Sequence, residues 1–302
     1  MWLRGVSLRG PRVRRILLPN GLTVACWDVG PFSAPAQAVH RRAADEPRAN
    51  DGPPAPPLVL LHGVGGDRRE WLFSLFLLAR QRRVLAFDLL AHGLSDTPDR
   101  MGVDYRISLL TNVLVSAIPS VPNVPEVIDL LGHSLGGAVA LDAALRFPRL
   151  IRRLVLVDSA GLLANDALSP FSVSLDFAPR NYLEARRLLK SSVHSRLLGN
   201  DLVAWVTAIS KRARRNHPEL VKILASVAAG QDAVSYARLR TIPQESLVLW
   251  GAEDRIFPLA TGRRLADAIP RARLEIVPDS GHVLPVERPF AFARSVTAFL
   301  DA

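Results

Sequence analysis

From Leu58 onward, short unbroken apolar runs alternate with stretches of helical period, and this alternation restricts the chain to a mostly parallel sheet with helices on both faces. The runs are LVLLHG (58 to 63), RVLAFDL (83 to 89), VIDLLG (127 to 132), LVLVD (154 to 158), SLVLWG (246 to 251) and LEIV (274 to 277). Strands buried on both faces read as continuous apolar runs of this kind. Between them the spacing predicts helices over 70 to 81, near 106 to 118, over 135 to 147 and 259 to 269, and near 287 to 300. Parallel neighbours need crossovers of about this length.

The rhythm fails at two places. Residues 14 to 29, RRILLPNGLTVACWDV, carry two β-branched runs around Asn20-Gly21, the pair that suits the two positive-φ positions of a tight hairpin turn. An antiparallel hairpin is therefore expected to open the fold, followed by a proline-rich loop up to residue 57. Between 162 and 239 the alternation gives way to helix-like stretches, among them 182 to 198 and 201 to 215. The expected organisation is a hairpin and loop over 1–57, an α/β core over 58–161 and 240–302, and a helical lid over 162–239. Such a lid would sit over the strand ends, where open α/β sheets bind ligands.

One serine stands where a predicted strand meets a predicted helix, in Gly132-His133-Ser134-Leu135-Gly136. This matches G-x-S-x-G, whose glycines leave room for a sharp strand-to-helix turn that thrusts the hydroxyl out above the sheet. Leu135 would open the helix, so its amide carries the positive end of the helix dipole into the same space. Serine is also a favoured N-cap, and the pentapeptide alone does not separate the two readings.

A serine hydroxyl needs a base near neutral pH, and histidine suits the task. Of the seven histidines, His282 in VPDSGHVLPVERP follows a late strand on a glycine-containing loop able to reach over the sheet. His133 lies on the elbow and is expected to point away from Ser134, and His62 and His92 belong to glycine turns after earlier strands. Carboxylates that could orient His282 follow two strands: Glu253 and Asp254 after SLVLW, and Asp158 after LVLV.

The order serine, acid, histidine, with LLHGVGG (60 to 66), DLLAHGLSD (88 to 96), GHSLGG (132 to 137), WGAED (250 to 254) and GHVLPVERP (281 to 289), resembles the α/β-hydrolase fold family from Leu58 to the C-terminus. The resemblance implies Ser134 as nucleophile, His282 as base and Asp254, in preference to Glu253 or Asp158, as the orienting acid. It also implies an oxyanion hole made by the amides of Val64 and Leu135. The expected activity is hydrolysis of a carboxylic ester or related acyl compound through an acyl-enzyme. Acyl transfer, perhydrolysis and C–C bond hydrolysis on the same three residues are alternatives, as is a binding protein on the same scaffold. Serine at the elbow argues against the aspartate-dependent dehalogenase and epoxide-hydrolase branches. C–C hydrolases of the family often carry a tryptophan just after the histidine block, a neighbourhood that Val283, Leu284 and Val286 occupy here, which lowers that alternative.

Composition excludes other classes. No apolar run is long enough to span a bilayer, and ILL at 16 to 18 is too short for a signal h-region, so the expected place is the cytosol. The single Cys26 allows no internal disulfide. The net charge of +10 is carried almost wholly by arginines spread along the chain, with only Lys190, Lys211 and Lys222 as lysines, and no nucleic-acid partner is expected. No metal or nucleotide motif is present, so no cofactor is expected. The expected partner is a small, rather apolar acyl compound, with Phe171, Phe177 and Trp205 as candidate pocket residues.

Overall fold

The computed structural model describes residues 10–30, 55–98, 103–162, 182–195, 198, 219, 222–223, 225–226 and 232–302. Eight strands form one sheet: β1 (Arg12–Leu17), β2 (Thr23–Val29), β3 (Leu58–Leu61), β4 (Val84–Phe87), β5 (Ile128–His133), β6 (Ile151–Val157), β7 (Glu245–Gly251) and β8 (Ala272–Val277). Their spatial order is β1-β2-β4-β3-β5-β6-β7-β8. β1 pairs antiparallel with β2 and β2 with β4, and all other pairs are parallel. The chain steps from β3 to β4 on one side and then crosses back to β5 on the other. That reversal opens a crevice above the carboxyl ends of β3 and β5.

Period-two alternation along the buried strands feeds two cores. Val59 and Leu61 of β3 point into one with Leu110, Val113, Leu141 and Leu265. Leu58 and Leu60 point into the other with Trp71, Leu75, Phe292 and Val296. The first core is covered by α2 (Ile107–Ala117), α3 (Leu135–Arg146) and α5 (Leu259–Ala268). The second is covered by the short α1 (Leu75–Leu78) and by α7 (Pro289–Leu300). Cys26 is fully buried in β2, and burial first, with Asp28 adding to it, pushes its thiol up to about 12. That makes it an inert core residue.

Two local details depart from the sequence reading. The hairpin is not closed by a two-residue turn: Gly21 donates to the Leu18 carbonyl at 2.9 Å, Leu18 donates to Leu22 at 2.8 Å, and only Gly21 of the Asn20-Gly21 pair has positive φ. Pro19 fixes its own φ at the first turn position, and the chain turns over three residues and ends on the glycine.

The stretch over 70 to 81 is not one helix but a 3-10 turn, Arg68–Trp71, followed by α1. Its apolar residues run all round, Ser74 Oγ bonds back to the Trp71 carbonyl at 3.3 Å, and Leu72 and Phe73 are left exposed.

The helix expected near 287 to 300 is α7, and a short α6 (Leu284–Glu287) precedes it, the two separated at Arg288, which precedes Pro289 and is held at φ −132°, ψ 54°. Of the lid expectation, α4 (Tyr182–Ser192) is helical, while Phe171, Phe177 and Trp205 lie outside the described residues.

The arginines have structural work. Asp129, fully buried at the start of β5, receives Arg82 at 2.8 Å and Arg152 at 2.7 Å, and Arg82 also pairs with Asp301 near the C-terminus. This cluster ties the ends of β5 and α7 together at the edge of the sheet opposite the crevice.

Candidate active site

β5 ends in a backbone strained for a purpose. Ser134 sits at φ 50°, ψ −115°, a conformation rare for a residue with a Cβ. Hydrogen bonds from both sides hold it there: its amide donates to Val157 at 3.0 Å, and its carbonyl accepts from Gly137 at 2.9 Å and Ala160 at 3.0 Å. Glycine is required on either side of the turn. A Cβ on Gly132 would be driven into the backbone of Gly136 and Gly137, and one on Gly136 into the backbone of Leu61 and His62. Gly132→Ala is therefore expected to lower unfolding free energy by about 3 kcal/mol, read as a drop in urea midpoint at unchanged m-value.

Above this turn three side chains from three strand ends form a line. His282, on the loop after β8, places Nε2 3.0 Å from Ser134 Oγ. Its Nδ1 lies 2.8 Å from Oδ2 of Asp254, on the loop after β7. Asp254 is itself fixed, because its Oδ1 accepts the amides of Ile256 at 2.7 Å and Phe257 at 3.0 Å. All three are buried, with Phe257 packed against the His282 ring at 5.4 Å between centroids. With the Nδ1 proton directed at Asp254, Nε2 is left to accept the serine hydroxyl.

The other two acids considered from sequence point elsewhere. Glu253 accepts the Ser280 amide at 2.9 Å and steadies the His282 loop. Asp158, at the end of β6, accepts the Gly251 amide at 2.8 Å, and its Oδ2 is buried with no hydrogen-bonding partner among the described residues. Burial, and then the Asp254 carboxylate nearby, push the Asp158 carboxyl well above the usual range.

The β3 loop meets the elbow closely: a Cβ on Gly63 would lie 3.3 Å from Ser134 Cβ. Val64 follows on that loop, and Leu135 is the first residue of the 12-residue α3. His62 and His92, which sequence offered only as turn residues, clamp the loop. His62 accepts the Leu89 amide at 3.0 Å, and His92 accepts the Gly65 amide at 3.1 Å. Asp88, beneath them, accepts the amides of Arg68 and Leu94, both at 2.7 Å, and pairs with the Arg68 guanidinium. Nothing in the sequence periodicity marks these roles, which exist only once β3 and β4 lie side by side.

Glu287 of α6 joins the His282 loop to the end of α4. Its Oε1 accepts the Gly281 amide at 2.9 Å, and its Oε2 accepts the amides of His194 and Ser195, both at 2.8 Å. The His282 amide also donates to the Ser192 carbonyl at 2.8 Å.

A parallel sheet of this strand order with a serine elbow, a histidine and a carboxylate at its carboxyl edge defines a class. The chain belongs to the alpha/beta hydrolase family, whose sequence pattern it matches over residues 58–295. Among its relatives is a 2-hydroxymuconate semialdehyde hydrolase from Pseudomonas sp. (strain CF600), 33% identical over 81% of this chain and 86% of the relative. Another is a putative carbamate hydrolase from Pseudomonas syringae pv. syringae, 30% identical over 82% of this chain and 94% of the relative. A meta-cleavage product hydrolase from Pseudomonas fluorescens IP01 shares the fold at a TM-score of 0.77 and 23% identity, covering 95% of this chain and 97% of that one. Among the described residues no helix is long and apolar enough to cross a membrane.

Proposed function

We propose that this chain is a serine hydrolase that cleaves a carboxylic ester or related acyl compound through an acyl-enzyme. The observation that carries the reading is the line from Ser134 Oγ to His282 Nε2 at 3.0 Å and from His282 Nδ1 to Asp254 at 2.8 Å. In the proposed cycle His282 takes the Ser134 proton as Oγ attacks the acyl carbon, and Asp254 stabilises the imidazolium that forms. The amides of Val64 and Leu135 receive the developing oxyanion, where each donor is worth about 3 kcal/mol to the transition state. His282 then returns the proton to the leaving group, and water, deprotonated by His282, releases the acyl group.

The test is exposure of the purified protein to a fluorophosphonate, followed by intact mass. One adduct on the wild type, lost in Ser134→Ala and His282→Ala, is expected. An unmodified wild type of native fold would sink the reading.

A second reading is favoured by the 2-hydroxymuconate semialdehyde hydrolase relative. Here the same residues would cleave an acyl group from carbon, a reading that Val283, Leu284 and Val286 after the histidine, with no tryptophan among them, disfavour. Turnover of 2-hydroxymuconate semialdehyde beside a panel of p-nitrophenyl esters separates the two. The ester reading requires the higher kcat/KM to fall among the esters.

A further inference from the structure

A second histidine–carboxylate pair lies beneath the elbow, and the line from Ser134 to Asp254 does not use it. His133, adjacent to the serine, places Nδ1 2.7 Å from Oε1 of Glu70, with side-chain exposures of 4% and 11%. Its Nε2 lies 2.7 Å from the backbone carbonyl of His282. The other oxygen of Glu70, Oε2, accepts the Gly63 amide at 3.1 Å and fills the space that a Cβ on Gly66 would need. A continuous path therefore runs from Gly63 through Glu70 and His133 to the carbonyl of His282. It joins the loop that bears Val64 to the loop that bears the catalytic imidazole, and it passes under Ser134.

Both ends of the imidazole face acceptors. With Glu70 ionised, a neutral ring, which has one N–H, would leave either the carboxylate or the carbonyl facing a bare nitrogen at a buried site. A ring protonated on both nitrogens makes an ion pair with Glu70 at Nδ1 and donates to the His282 carbonyl at Nε2. Burial is the largest single influence and opposes that charge, but Glu70 first, then Asp158 and the His282 carbonyl, together outweigh it and lift His133 from 6.5 to about 9. In return Glu70, which burial alone would raise, is held below its usual range chiefly by His133.

The remaining groups facing the pair agree with this charge state. Asp158 from the end of β6 favours the cation, His62 from the end of β3 favours the Glu70 anion, and the His282 ring lies 5.1 Å from the His133 ring.

We propose that Glu70 and the doubly protonated His133 form a positioning pair, a buried charged strut that fixes the Val64 loop and the His282 loop at one separation across the nucleophile. The proposal rests on the serine-hydrolase reading, since it concerns how that machinery is held. Neither residue touches the reacting atoms. Loosening the strut displaces the oxyanion donor and the base relative to each other, which weakens the transition state more than the bound substrate.

The experiment compares wild type with Glu70→Gln, His133→Gln and the double variant. It measures kcat and KM on an ester that the wild type turns over, the rate of fluorophosphonate labelling, Tm, and the imidazole ¹⁵N resonances of the wild type at pH 7.5. Each single variant is expected to lose about 10- to 100-fold in kcat and labelling rate with KM within about twofold. The double is expected to fall no further than the worse single, because residues acting as one unit are not additive. The ¹⁵N spectrum is expected to show His133 protonated on both nitrogens.

Single variants with lowered Tm but wild-type kcat would overturn the proposal, because a purely structural pair behaves that way. Should the variants not fold, the wild-type spectrum decides: a neutral His133 overturns the strut and a doubly protonated one sustains it. A wild type that takes no probe defeats the hydrolase reading and the positioning role with it, and that failure is seen without any variant.

Discussion

Ser134→Ala is expected to reduce kcat by about 10⁶-fold while leaving the protein folded, the magnitude that removal of a nucleophilic serine has where serine, histidine and acid act together. Alanine keeps the Cβ, and the strained turn is held by backbone bonds to Val157, Gly137 and Ala160 rather than by the hydroxyl. The substitution therefore removes the chemistry and spares the scaffold. His282→Ala should cost about as much, and the double variant no more than either, because once the base or the nucleophile is gone the other has nothing to do. Steady-state kinetics on one ester, with Tm measured in parallel, checks this. A residual rate within about 100-fold of wild type would mean that Ser134 is not the attacking group, since binding and oxyanion stabilisation alone do not supply so much.

The parts of this arrangement that were readable from sequence are those with a local cause. An apolar run such as LVLL becomes a buried strand because it has no polar face to turn outward. The elbow is legible because no Cβ fits at Gly132 or Gly136, where backbone passes backbone. Ser134, Asp254 and His282 could each be placed at a strand end, and the structure brings their side chains into one line; what that line does is the proposal made above.

Features with a tertiary cause were not readable. Glu70 stands beside Trp71 in a stretch that reads as apolar helix, and nothing nearby shows that its carboxylate turns inward to His133, 63 positions away. His133 does not simply point away from the chemistry: its Nε2 reaches the backbone of His282. The break between Trp71 and Leu75 depends on Ser74 competing for a carbonyl and on which leucines find the second core. Periodicity alone records neither.

The two aspartates at neighbouring strand ends give the sharper test of the proposed mechanism, because they differ in environment more than in position. Asp254 accepts two amides through Oδ1 and faces the His282 Nδ1 proton with Oδ2. In Asp254→Asn the amide keeps the shape, but its NH₂ group can meet Nδ1 only if the ring proton moves to Nε2. Nε2 would then point a proton at Ser134 in place of a lone pair. A loss of about 10⁴ in kcat is expected, the cost of the wrong tautomer in such a site.

Asp158 is buried, its carboxyl is pushed well above the usual range, and one of its oxygens already serves only to accept the Gly251 amide. An asparagine can keep that bond, so Asp158→Asn should retain kcat within about threefold, since the carboxylate that lies against the His282 imidazole is that of Asp254. The ratio of the two effects is the measurement. Equal losses would mean that the two carboxyls share the orienting role, whereas a ratio above about 10³ assigns it to Asp254, because its carboxylate alone lies against the imidazole.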